Sequence, residues 1–290
     1  MYVENKLILY KYKSFAFIKN FEYAIDSLKN KYLYFSRPSE LNDPFDCQIQ
    51  IDFEANESEF ESWKERNLDR IPQNNRLLTF EGKNQTLSEP RTQSGLELVR
   101  ERLVEKNHLL SLTTDCLNES MWALYAGNYN GICIGYKIED SNASFIPTKI
   151  EFKSEYGSLI VPTDIKEICF EQIKYDNDGS HPLKIFNKEP PNVDAIFYNL
   201  THKKKCWNSE KEYRAIIHDT DYDITSIENK DVKVFYEDNM LGEVIFGYQV
   251  PTATRNTIIQ MIKENYNSNI RFYLIDADLK NYTLVKKEIY

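Results

Sequence analysis

At 290 residues, 41% hydrophobic and 28% charged, the chain holds enough material for one large domain or two small ones. A net charge of −9 argues against a general nucleic-acid binder, and nine glycines with no GxGxxG or GxxxxGK[ST] run exclude a Gly-rich phosphate loop. The five cysteines, Cys47, Cys116, Cys133, Cys169 and Cys206, are odd in number and never spaced as CxxC. That excludes a disulfide framework or a zinc knuckle and points to reduced, mostly buried thiols in a cytoplasmic protein.

The N-terminal stretch MYVENKLILYKYKSF has no long apolar core, and no apolar run reaches the length of a bilayer span, so no membrane partner is expected. Leu7 to Lys13 reads as a strand with Tyr10 and Tyr12 on one face and Lys11 and Lys13 on the other. Phe17, Phe21, Ala24, Ile25 and Leu28 recur at helical spacing, with Asn30 as the stop. Tyr32 to Ser36 is a second strand. It runs into a turn-rich acidic loop from Arg37 to Asp46, where Asn42 closes turns and Asp43 and Asp46 flank the aromatic Phe45.

Residues 54–107 are polar and read as a variable insertion, with a solvated helix over Glu57–Leu68, a loop over Pro72–Pro90 and an apolar stripe resuming at Leu96. His108 to Thr114 is a strand, and Asn118 to Gly127 a short helix rich in large side chains. Asn128 to Gly131 is a turn and Ile132 to Ile138 a further strand. Trp122 and Tyr125 either pack in the core or wall a pocket for a flat ring. Thr148–Phe152 and Gln172–Tyr175 read as short strands, with loops at 178–182 and 189–192. Val193 to Lys205 is predicted to be a helix whose lysines complement its C-terminal dipole. Val232–Tyr236, Gly242–Val250, Ile270–Ile275 and Tyr282–Ile289 read as strands, and Thr252–Tyr266 as an amphipathic helix. Short strands and helices without βαβ order predict a single α+β domain over residues 1–290.

Cys206 to His218, CWNSEKEYRAIIH, carries the strongest chemical pattern. If the segment is extended, Glu210 and Glu212 lie two residues apart on one face and present paired carboxylates. Such a pair can bind a ribose, hold a metal or perform acid/base work.

LYKYKSF at Leu9–Phe15, YFSRPSELNDPFDC at Tyr34–Cys47, MWALYAGNYNGICIGY at Met121–Tyr136, WNSEKEYR at Trp207–Arg214 and EVIFGYQV at Glu243–Val250 stand in a fixed order. In these blocks the chain resembles the bacterial family of domain of unknown function 2971. That family more often has Phe at position 41, His at 129 and Trp at 213, where this chain has Leu41, Tyr129 and Tyr213. A looser resemblance is to mono-ADP-ribosyltransferases. It implies a mostly antiparallel, strongly bent central sheet of the split-sheet kind, flanked by helices, and NAD as substrate. By that resemblance Lys11 and Tyr12 hold the nicotinamide and its ribose, Ser36 of the second strand supports the ribose and the catalytic glutamate, and Tyr34 belongs to the cofactor-binding set. Glu212 stabilises the oxocarbenium-like transition state and Glu210 orients an acceptor, protein or nucleic acid.

Three functional expectations follow. The first is an NAD-consuming enzyme of the toxin or phage-defence type, with catalytic Glu212 and Glu210, a nicotinamide pocket walled by Trp122 and Tyr125, substrate contacts from Asn42, Asp43, Phe45 and Asp46, and no metal or obligatory nucleic acid. The second is a metal-dependent nuclease that places Mg²⁺ on Asp43, Asp46, Glu210 and Glu212, with Lys211 or Lys11 at the phosphate. The third is a recognition domain whose pocket is formed by Trp122, Tyr125 and Phe45.

Overall fold

The computed structural model describes residues 6–48, 51–67, 79–82, 106–139, 141–154, 157–161, 167–176, 182–184, 186, 193–218 and 231–290. In chain order these form β1 (Lys6–Ser14), α1 (Ile18–Lys29), β2 (Tyr32–Phe35), β3 (Ile51–Asp52), α2 (Glu57–Asn67), β4 (Asn107–Thr113) and α3 (Glu119–Leu124). There follow β5 (Gly131–Glu139), β6 (Ser144–Phe145), β7 (Lys149–Ser154), β8 (Gly157–Val161), β9 (Ile168–Gln172), β10 (Lys174–Asp176) and β11 (Leu183–Lys184). The rest are α4 (Val193–Thr201), β12 (His202–Lys204), β13 (Glu212–His218), β14 (Asp231–Phe235), β15 (Leu241–Phe246), α5 (Thr252–Asn265), β16 (Arg271–Asp278) and β17 (Thr283–Glu288). The class is α+β, as the pattern of elements predicts, and the pairing is mostly antiparallel.

The chain divides into two compact units. The first holds residues 1–36, 108–173 and 205–290, and the second residues 37–107 and 174–204. The polar segment at 54–107 belongs to the second. The loop and helical stripe predicted between Pro72 and Asn107 fall mainly outside the described residues, as do the loops predicted at 178–182 and 189–192.

The first unit is built on a sheet ordered β1-β4-β13-β9-β6-β5-β15-β16-β17, in which β1 also pairs with β5. That extra pairing closes β1, β4, β13, β9, β6 and β5 into a six-stranded barrel, and β15, β16 and β17 extend from its β5 edge. The split sheet implied by the ADP-ribosyltransferase resemblance is therefore corrected to a closed ring. Closure rests on the β1–β5 ladder, in continuous antiparallel register from Lys6–Glu139 to Ser14–Gly131. A second sheet, β2-β14-β7-β8, completes the unit.

Alternation along β1 divides its side chains between two cores. Leu9 joins Ile132, Ile134 and Tyr136 of β5, Ala215 and Ile217 of β13 and Phe170 of β9 in the main core. Tyr10 and Tyr12 face the other way, into a smaller cluster with Trp122, Cys116, Cys133, Ile245 and Tyr273. The helices add narrow stripes. Ala24 and Leu28 of α1 and Ile258, Ile259 and Ile262 of α5 are buried. Phe17, expected to begin the α1 stripe, is the N-cap residue and 70% exposed. The Tyr266 hydroxyl donates to the Leu28 carbonyl (2.6 Å), tying the segment after α5 to the end of α1.

Three further expectations are adjusted, and that of mostly buried, free thiols holds. Gln172–Tyr175 is two strands, because β9 ends at Gln172 and β10 begins at Lys174. GEVIFGYQV pairs only as far as Phe246, and its Tyr248 is half exposed in the following turn. Cys47, Cys116 and Cys133 are buried, whereas Cys169 and Cys206 are exposed. The helix predicted over Val193–Lys205 ends at Thr201. His202 to Lys204 leave it to form β12, parallel to β10, so the lysines are strand residues and not residues of the helix's last turn. No helix of the described residues is long and apolar enough to cross a membrane.

Gly247 is where two backbones meet. Its N–H donates to the Gly131 carbonyl (2.9 Å), and a Cβ there would run into the carbonyl of Tyr129. Gly247→Ala is therefore expected to lower stability by about 1–3 kcal/mol through overpacking. Urea denaturation would show this as a lower midpoint at unchanged slope, and an unaltered midpoint would contradict the packing described.

Candidate functional site

In the second unit, the acidic loop and the end of α4 enclose a cavity of about 290 Å³. It is lined by Asp43, Phe45, Asp46 and Gln48 from the loop, Asp176 from β10, and Tyr198, Asn199, His202, Lys203 and Lys204 from α4 and β12. Three of the four residues assigned to substrate in this loop, Asp43, Phe45 and Asp46, thus share one cavity. Asn42 precedes them and does not line it.

Local chemistry fixes the loop. The Asp43 carboxylate accepts the Phe45 N–H (3.0 Å), and the Asp43 carbonyl accepts the Asp46 N–H (3.1 Å), an Asx-type turn. Asp43 and Asp46 are buried, whereas Phe45 is 65% exposed. Asp46 pairs with Lys203 (3.4 Å), and both side chains are almost fully withdrawn from water. Alternation along β12 turns the next residue outward, and the Lys204 ammonium sits 3.4 Å from the centroid of the Phe45 ring.

The other wall is a stack. The Tyr198 ring, in the last turn of α4, and the His202 ring, at the start of β12, stack with centroids 3.4 Å apart and 15° between planes. The Tyr198 hydroxyl donates to Asp176 (2.7 Å). His202 Nδ1 lies 2.9 Å from the Tyr198 carbonyl. A carbonyl only accepts, so Nδ1 is the donor in that contact. The cavity therefore offers an exposed aromatic face, a cation beside it, and carboxylates that accept from hydroxyls.

Tyr198, His202, Lys203 and Asp176 escaped the sequence reading. Helical periodicity was extended through His202–Lys204, and the parallel β10–β12 pairing that recruits them joins residues far apart in the chain.

In the first unit, the paired glutamates are arranged differently from expectation. Glu210 ends a 3-10 turn, Lys211 takes a left-handed conformation (φ 46°), and β13 begins at Glu212. They are thus not successive same-face residues of one strand. Glu210 accepts from the Tyr125 hydroxyl at 2.6 Å. Glu212 accepts from Nε and Nη2 of Arg214, each at 2.8 Å, with the guanidinium wholly buried. The real same-face pair on β13 is an acid and a base, so the Glu212 charge is compensated within the protein. Lys211, proposed as a phosphate cation, pairs with Asp115 (2.9 Å).

Of the residues predicted to form the nicotinamide site, Trp122 and Tyr125 stand at α3 and Tyr12 packs against Trp122, whereas Lys11 lies on the other face of β1 and Tyr34 and Ser36 stand at β2. Trp122 is fully buried and donates its ring N–H to the Cys116 carbonyl (2.9 Å). It meets Tyr12 edge-on at 5.2 Å and stacks on Tyr129 at 5.9 Å. Tyr12 donates to the Asp115 carbonyl (2.8 Å), and burial, aided by neighbouring thiols, raises its pKa strongly. Lys11 donates to the Ser111 carbonyl (3.0 Å). Ser36 joins Leu109 through two backbone hydrogen bonds, and Tyr34 donates to Asp231 (3.0 Å).

One acid was missed altogether. Glu243 is fully buried and accepts from the Tyr10 hydroxyl (2.8 Å), while Lys286 and Arg271 supply ion pairs. Burial first, then Cys116 and Glu243, pushes the Tyr10 hydroxyl well above its usual pKa. Among the described residues, no group of three or more His, Cys, Asp or Glu side chains is gathered as a metal ion would require.

The family model described as "Protein of unknown function (DUF2971)" matches residues 121–215 and supports assignment of the chain to that family. The matched span takes in Trp122, Tyr125, Glu210 and Glu212, and also the cavity residues Asp176, Tyr198, His202, Lys203 and Lys204. The acidic loop lies before it. No curated protein and no solved structure matches the chain.

The Asp46–Lys203 pair is expected to behave as a buried charge pair. Asp46→Ala removes a buried carboxylate partner of the Lys203 ammonium and is expected to cost about 3–5 kcal/mol. The double variant Asp46→Leu/Lys203→Met should recover most of that loss. Calorimetry on the two would check it, and equal destabilisation by both would contradict it.

Proposed function

For this DUF2971-family chain, we propose that the cavity of the second unit binds a small ring-bearing polar molecule of the nucleoside class. The observation that carries this reading is Phe45. It is a large aromatic left 65% exposed beside buried Asp43 and Asp46, with Lys204 over its ring. An aromatic face stacks on a base, carboxylates accept from ribose hydroxyls, and an ammonium serves a phosphate. NAD, which the looser sequence resemblance nominates, contains all of these groups.

Because Phe45 is exposed, Phe45→Ala is expected to leave the melting temperature nearly unchanged. It should weaken nucleotide binding by about 1–3 kcal/mol, the usual cost of losing one base–aromatic stack. Titration calorimetry with NAD, AMP and adenosine would test it. Unchanged affinity in the variant, or no binding of any of the three to wild type, would sink the proposal.

A second reading is glycosidic cleavage of NAD at Glu212. In its favour, four residues nominated for that chemistry meet in two pairs at α3: Tyr12 packs on Trp122, and Tyr125 donates to Glu210. For Glu212 to stabilise an oxocarbenium-like transition state, its ion pair with Arg214 has to open as nicotinamide leaves. Free nicotinamide released from NAD in the presence of EDTA by wild type, and not by Glu212→Gln, is the expected result. Glu210→Gln serves as the companion variant, since an amide oxygen can still accept from Tyr125. Release undiminished in both variants would remove these glutamates from the reaction.

A further inference from the structure

Lys13 is a lysine that no other feature of the fold employs. It lies on the β1 face that carries Leu9 into the main core, directly opposite Ile132 of β5, and is half-buried. Two residues away on the same face, Lys11 stands opposite Ile134, with its ammonium anchored on the Ser111 carbonyl. Among the described residues, the Lys13 ammonium has neither a hydrogen-bond acceptor nor a carboxylate partner, although its backbone belongs to the β1–β5 ladder. An apolar flank, a fixed neighbouring cation and partial access to solvent are the conditions that turn a lysine from a solvated charge into a nucleophile. Burial first, then the Lys11 charge, lowers its pKa to about 8.

We infer that Lys13 is a reactive amine that captures a small aldehyde or ketone as an imine, and that Lys11 favours ligands bearing a carboxylate. The neutral Nζ adds to the carbonyl carbon, forming the C–N bond as the C=O π pair becomes a hydroxyl. Uptake of one proton and departure of that hydroxyl as water leave the protonated imine. No electrons are exchanged with any external reagent. This site belongs to the first unit and is independent of the nucleoside reading of the second.

The test uses the full chain at pH 7 with glyoxylate as probe and cyanoborohydride in the assay, which delivers hydride to the imine and fixes it as a secondary amine. At that pH an amine titrating near 8 has roughly two orders of magnitude more neutral form than an ordinary lysine. Peptide mapping is expected to find adduct at Lys13 at least about ten times faster than at the median lysine, after the intrinsically lower nucleophilicity of the less basic amine offsets part of that advantage. The preference should disappear in concentrated urea, and Lys13→Arg should remove the fast adduct while keeping the charge. Adduct spread evenly over the lysines of the folded protein, or a Lys13 preference that survives urea, would overturn the inference. Neither measurement on wild type depends on a variant folding.

Discussion

The first unit depends on the β1–β5 pairing. Without it, β1-β4-β13-β9-β6-β5 would be an open sheet with a bare strand at its end. With it, the sheet becomes a ring. An antiparallel ladder of this length admits one register, since a one-residue slip would exchange the two faces of β1. Leu9 would then leave the main core and Tyr10 and Tyr12 would lose theirs. The same register sets Tyr12 against Trp122, Tyr10 against Glu243, and Lys11 and Lys13 beside the isoleucines of β5.

Charge burial is the second organising theme. Glu212 is held by Arg214, Asp46 by Lys203, and Glu243 by Lys286, Arg271 and a tyrosine hydroxyl. A carboxylate removed from water is retained where a cation or donor compensates its desolvation. Burial of an acid is therefore no guide to chemistry in this chain. The more informative acids adjoin an open cavity, such as Asp176 beside the Tyr198–His202 stack. Exposure of an aromatic is equally informative, because burial would otherwise claim it. Trp122 is spent on the core and Phe45 is not.

The second unit shows how a site can be assembled from two unremarkable segments. The loop at Asp43–Asp46 is stabilised by its own Asx turn, whereas Lys203 and Lys204 owe their positions to a short parallel ladder with β10. One face of that ladder sends Lys203 inward to Asp46, and the other presents Lys204 to Phe45. A buried, ion-paired lysine and one lying over an exposed aromatic thus alternate along the strand.

Local periodicity by itself determined β1, α1, β2, β4, β5, β14, α5 and β17 to within a residue or two, and α3 and β16 to within three, because period 2 or 3.6 in apolar residues is a property of neighbours in the chain. It also singled out Asp43, Phe45 and Asp46, because turn residues around an aromatic are visible locally. Tertiary structure alone decided that the sheet closes, that His202–Lys204 is a strand, that Glu212 faces Arg214 and not Glu210, and that Glu243 is buried. Each of these depends on which distant strand lies alongside or on a single backbone angle such as the left-handed Lys211. Strand pairing is set by the competition among all edges for partners, and that competition leaves no trace in the spacing of residues along one strand.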